Sequence, residues 1–188
     1  QNDDPIPSGL FFEIQRDRAA DTGTIAHAMA EAWLKGGSLN VDGLPMTQVD
    51  DARHAFERFR EWWTARGLTI MHSEIAMVSE AWQVGGTADV IARDERGHAV
   101  LIDLKTTKPS RYWPYDETFA QVSAYAEMYR EVHATEIRDI YIVRIGKTAD
   151  DEIQVHEVSG HEREAGLVLF DAALKAYRAK NALKRGAA

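Results

Sequence analysis

The feature that most restricts the fold is a short polar break between two apolar runs. Residues 82–93 and 99–106 read as strands, and residues 94–98, with Gly97, read as the turn that joins them. A hairpin centred near residue 96 pairs residues equidistant from that centre, so Asp89 faces Asp103. Directly opposed side chains on one face lie about 5 Å apart at Cβ. Two carboxylates that close repel each other unless a cation lies between them or one is protonated. Paired oxygen donors of this kind suit Mg²⁺ or Mn²⁺. Lys105 follows Asp103 by two residues and shares its face, while Val100, Ile102 and Leu104 point the other way into a core. On a solvent-facing strand the same three charges would be an ordinary ion-paired surface. Asp103, however, lies between Ile102 and Leu104 in a run apolar enough for a central strand, where a charge costs free energy unless it has a use.

The rest of the chain surrounds this hairpin with helices. The 188 residues, 45% hydrophobic and 28% charged, suit one domain over 1–188. Residues 1–20 read as irregular, broken by Pro5, Pro7 and Gly9. A helix starts at Asp21 or Thr22 and ends at Gly36–Gly37; after a long connection, a second of about 18 residues carries Val49, Ala52, Phe59, Trp62 and Trp63 and stops at Gly67. Residues 71–79, 82–93 and 99–106 are successive strands, with Gly85–Gly86 marking a bulge or a close backbone approach. Thr118 caps a helix to about 133, strands follow at 138–145 and 152–158, and a last helix over 161–182 carries Ala165, Val168, Leu169, Ala172, Leu174 and Tyr177. The order ααβββαββα predicts an α/β (α+β) fold, a central mixed sheet flanked by helices.

Several classes are excluded. With no cysteine there are no disulfides, thiolate zinc sites or cysteine-bound iron–sulfur clusters. No apolar run approaches the ~18 residues that span a bilayer, and residues 1–8 show no leader pattern. The expected compartment is the cytoplasm, with no membrane partner. A net charge of −8 argues against a broad basic surface, so a polyanion would need metal ions or a local basic groove.

Asp89 followed by Asp103-Leu104-Lys105 resembles the PD-(D/E)XK nuclease pattern, with Ala88 in the nominal proline position. Three further elements, spread over residues 21–145, resemble the branch of the RecB nuclease domain and the CRISPR adaptation nucleases. They are a G-T-x-x-H-x-x-x-E helix from Gly23 to Glu31, a G-x-x-D strand from Gly86 to Asp89, and a Q-x-x-x-Y helix from Gln121 to Tyr125. The resemblance implies a restriction-endonuclease-like core. It also implies a metal, Mg²⁺ or Mn²⁺, held by His27, Asp89, Asp103 and the Leu104 carbonyl, with Lys105 as catalytic lysine. Gln121 and Tyr125 would line the site or touch the substrate strand. Without cluster cysteines or a helicase segment, it implies a compact standalone DNA exonuclease of phage recombination or DNA repair.

Other residues have weaker claims. Glu31 shares the His27 helix face, and Glu74, placed opposite Thr87 by a turn near residues 80–81, would support the site or a second metal. Lys108 and Arg111, interleaved with Tyr112, Trp113 and Tyr115, suit a nucleic-acid strand through phosphate contact and stacking. A homo-oligomeric ring would favour processive cutting. Two rivals stay open: a catalytically silent end-binding or assembly subunit of the same fold, and an acidic protein-binding module.

Overall fold

The computed structural model describes residues 11–12, 21–106, 114–146 and 152–185. In chain order the elements are β1 (Phe11–Phe12), α1 (Thr22–Leu34), β2 (Ser38–Leu39), α2 (Met46–Ala65), β3 (Thr69–Ser79), β4 (Val84–Arg93), β5 (Ala99–Lys105), α3 (Asp116–His133), β6 (Ile137–Arg144), β7 (Gln154–Glu157) and α4 (Gly160–Arg185). A mixed five-stranded sheet runs β3-β4-β5-β6-β7, with β5 and β6 parallel and the other pairs antiparallel. The expected α/β sandwich is therefore present, with β5 at its centre. One correction concerns the first twenty residues, where Phe11–Phe12 forms a short parallel pair with Ser38–Leu39.

The sheet separates two cores. On one face α1 and α2 close over Val90, Ala92, Val100, Ile102, Leu104, Tyr141 and Val143. The Trp33 ring meets Phe56, Phe59 and Trp63 edge-on at 6.0–6.4 Å. Such pairs add about 0.5–1.5 kcal/mol each beyond the area they bury. On the other face α3 covers Met77, Ala88, Ile91, Leu101, Ile140 and Ile142 with Val122, Ala126 and Tyr129.

α1 begins where its cap predicts, with Asp21 accepting from Thr24 N at 2.9 Å. Gly67, at φ +57°, ends the α2 segment in the left-handed conformation that glycine allows. α3 starts earlier than expected: Thr118 is buried in the first turn rather than capping it, and Asp116 and Glu117 meet the positive helix end. At its far end Glu131 accepts from Ser79 Oγ (2.6 Å), Glu80 N (2.8 Å) and Ala81 N (3.1 Å), tying α3 to the β3–β4 turn.

α4 corrects the predicted apolar stripe. Val168 and Tyr177 are 70% and 64% exposed, and the inward face is Gly166, Leu167, Phe170 and Leu174. The reason is a close helix crossing: a Cβ on Gly166 would lie 2.4 Å from Phe119 O and 2.5 Å from Ser123 Oγ. The face that lets backbones approach wins over the face with more aliphatic carbon.

Candidate active site

The β4–β5 ladder pairs Val90 with Ile102 and Arg93 with Ala99, the register that the hairpin turn predicts. Carried one step further it sets Asp89 against Asp103. The ladder stops at Val90, and β4 changes face there: Ala88 belongs to the α3-side core and Val90 to the other. Strict alternation would keep these two residues together. Asp89, between them, takes the place of a ladder acceptor, with Oδ2 receiving Leu104 N–H at 2.7 Å. Leu104 thus enters the site through its amide, by a contact the sequence does not signal.

Asp103 is 1% exposed. Its Oδ1 accepts from Lys105 Nζ at 3.0 Å; its Oδ2 is 2.7 Å from the same ammonium but off any hydrogen-bond direction, so it is buried without a donor. Burial pushes the Asp103 carboxyl up to about 6, Lys105 pulls against this, and Asp89 adds to it. Asp89 is also raised, first by burial, with the Leu104 amide opposing. Lys105 Nζ donates onward to Gln121 Oε1 at 3.1 Å, and Gln121 Nε2 donates to Tyr125 Oη at 3.1 Å. The i, i+4 pair on α3 therefore holds the lysine from the opposite side. Gly86 makes room for it, since a Cβ there would sit 2.6 Å from Tyr125 Cε1. This is the close approach predicted for the glycine pair.

α1 brings His27 and Glu31 to the same place. Burial lowers the His27 pKa, while Glu31 and Asp103 pull it up. The ring is therefore neutral at neutral pH, with a nitrogen lone pair free to bind an electrophile. Glu31 is ion-paired with Lys35, one turn on. Glu74 requires a correction. Thr87 pairs with Ala76, and the neighbouring pairs Ser73–Val90 and Ile75–Ala88 set Glu74 across from Asp89. The β3–β4 turn occupies residues 80–83, later than expected, which moves the partner of Glu74 from Thr87 to Asp89. Burial, then Asp89 and Glu31, raise its pKa. At φ +53° its backbone is left-handed, which costs on the order of 1–3 kcal/mol and recurs at working sites.

Thus His27, Glu31, Glu74, Asp89, Asp103, Lys105, Gln121 and Tyr125 share one field. Among the described residues no three His, Asp or Glu side chains converge on one point, and Leu104 N–H and Lys105 engage the two aspartates. Lys108 and Arg111 lie outside the described residues. Two neighbours went unread in the sequence. Lys35 lowers the Glu74 pKa. Arg144, 2% exposed, pairs in register with Lys105 and donates to Gln154 Oε1 at 2.8 Å. An arginine within the apolar run 140–145 was the available signal.

Among the described residues no helix is long and apolar enough to cross a membrane. No curated protein matches the sequence. Among solved structures, a provisionally named exonuclease from Eubacterium rectale matches at TM-score 0.55 and 14% identity, over 88% of this chain and 70% of that one. The SSO0001 protein matches at TM-score 0.38 and 13% identity, over 88% and 79%, too low a score to bear on the fold. The first likeness concerns the fold alone. The family model of the PD-(D/E)XK nuclease superfamily matches residues 8–185, the span that holds Asp89, Asp103 and Lys105 in the arrangement described above, and the chain belongs to that superfamily.

Proposed function

We propose that this chain is a Mg²⁺- or Mn²⁺-dependent deoxyribonuclease of the RecB-like branch, acting on DNA ends. The observation that carries the reading is the buried Asp103 carboxylate, one oxygen without a donor, beside Asp89 and locked to Lys105. The exonuclease name of the Eubacterium rectale protein supports the preference for ends.

The donors fit such a metal in kind: carboxylate oxygens of Asp89 and Asp103 and a neutral imidazole of His27. Glu74, Glu31 and the Leu104 carbonyl stand ready as further oxygen donors. When bound, the ion supplies Lewis acidity toward the scissile phosphate and lowers the pKa of water. Lys105 then offsets charge developing on the phosphate and orients the attacking water. Gln121 and Tyr125 fix the Lys105 ammonium, and Ile102 and Leu104 anchor its strand in the core. Lys108 and Arg111 supply local cations to an acidic protein.

The test is incubation with end-labelled linear and circular DNA, single- and double-stranded, with Mg²⁺ or Mn²⁺. Release of mononucleotides from linear substrate alone is expected. Cutting of circles would replace end action by internal cleavage. Metal and DNA binding without any cleavage would favour the silent end-binding subunit.

A further inference from the structure

A cavity of about 520 Å³ opens between α3, α4 and the start of β4. It shares Gln121 and Tyr125 with the site above, so its wall continues the wall that holds Lys105. The rest of the lining is mostly apolar, with Val84, Ala120, Ala124, Met128, Leu169 and Phe170 the main contributors. The two ionisable carboxylates on it, Asp116 and Glu117, belong to the first turn of α3.

Packing, rather than a loop, builds this wall. The Phe170 ring rests on Trp82 with centroids 4.8 Å apart, and Arg178 donates to the Trp82 carbonyl. Gly166 draws α4 onto α3 one turn before Phe170. Leu169 stands 45% exposed, an apolar side chain open to a ligand.

The chemistry of the lining selects its occupant. A phosphate is disfavoured, because among the described residues the lining carries two carboxylates and no basic side chain. A flat heterocycle is favoured: its faces meet Met128, Phe170 and Tyr125, and its edge N–H groups find acceptors in Asp116 and Glu117. The volume lies in the range of sites for small ligands, about 300–1,000 Å³, and accommodates a base with its sugar.

We propose that this cavity receives an unstacked nucleobase of the strand being cut, adjoining the phosphate engaged at Lys105. The inference rests on the nuclease reading and adds a requirement to it. One nucleotide beside the scissile bond must be unpaired when bound. Terminal nucleotides unpair most readily, so a preference for ends follows from the cavity itself.

Ala173 lines the cavity from α4 and is exposed, so Ala173→Trp fills the space without disturbing a core. The probes are short single-stranded oligodeoxynucleotides in Mn²⁺, each with one abasic nucleotide placed stepwise across the scissile phosphate. In the wild type, one abasic position should raise KM about tenfold through lost stacking. Ala173→Trp should raise KM for the unmodified strand by a similar factor and abolish the dependence on that position. Ala120→Leu, filling the same space from α3, repeats the test if the first variant melts early. An abasic penalty that survives in the filled variants, or no penalty at any position in an active wild type, overturns the base-binding cavity alone. A wild type that cuts end-labelled duplex DNA but none of these strands also overturns the inference alone, whereas one that cuts neither overturns the nuclease reading and this inference with it.

Discussion

The two faces of β5 carry opposite solutions to the same burial. Toward α1 and α2, Val100, Ile102 and Leu104 enter an apolar core with Ala52, Phe59, Trp63 and Val143. Toward α3, Ala99 and Leu101 do likewise for half the strand, and then Asp103 and Lys105 take over under Gln121. The first face contributes stability. The second gives up stability at its carboxyl end, where burial works against the Asp103 charge. A strand central to a sheet can place reactive groups rigidly because its other side is indifferent to them.

That division makes the variants separable. The largest effect is expected for Asp103→Ala or Lys105→Ala, each lowering cleavage by about a thousandfold or more while circular dichroism stays native. Activity retained in either folded variant would remove that residue from the chemistry. On the opposite face, Ile102→Ala should cost about 2–5 kcal/mol in urea unfolding, and whatever protein remains folded should bind Mn²⁺ as before.

Asp103→Asn tests the cost of the polar face. With the native carboxyl near 6 against an ordinary 3.8, the folded state keeps a proton that the unfolded state has released. Wild-type stability therefore falls as pH rises through that window and levels off above it, by about 3 kcal/mol in all. The asparagine variant, measured without divalent ions, should lack this fall and be the more stable protein at pH 7. A parallel decline in both proteins would mean that the proton sits elsewhere.

His27→Ala should weaken Mn²⁺ binding about tenfold by calorimetry, with little change in melting temperature of the metal-free protein. Equal affinity would place the imidazole outside the ligand set. Smallest is Gly86→Ala, whose Cβ meets Tyr125 at 2.6 Å. It should displace the Gln121–Tyr125 pair and lower kcat by a few-fold, on the order of a weakened supporting contact. An unchanged kcat would show that the pair tolerates movement.

Much of this was legible in the sequence because it depends on local periodicity. The hairpin register, the inward stripe of α2 and the i, i+4 spacing of Gln121 and Tyr125 all follow from short-range geometry. What escaped depends on contacts between distant segments. The partner of Glu74 lies two residues beyond the one the sequence predicts, because a turn's centre shifts with its length. The buried face of α4 departs from its apolar stripe because backbone proximity at Gly166 outweighs apolar count. The cavity beside Gln121 joins residues 84 to 173, which no sequence window contains.

Glu131 has a mechanical meaning. Its carboxylate grips the β3–β4 turn, while Gln121, ten residues earlier on α3, grips Lys105. At 1.5 Å of rise per residue the two grips are about 15 Å apart along a stiff rod. The helix is a strut fastened at both ends. Sliding it along its axis breaks one fastening or the other, so the placement of the lysine is set in part from the far edge of the sheet. The hydrogen bonds from Ser79 and the turn amides hold the Glu131 carboxyl below its usual range. Acid that protonates it loosens the strut at a point remote from any bond being cut.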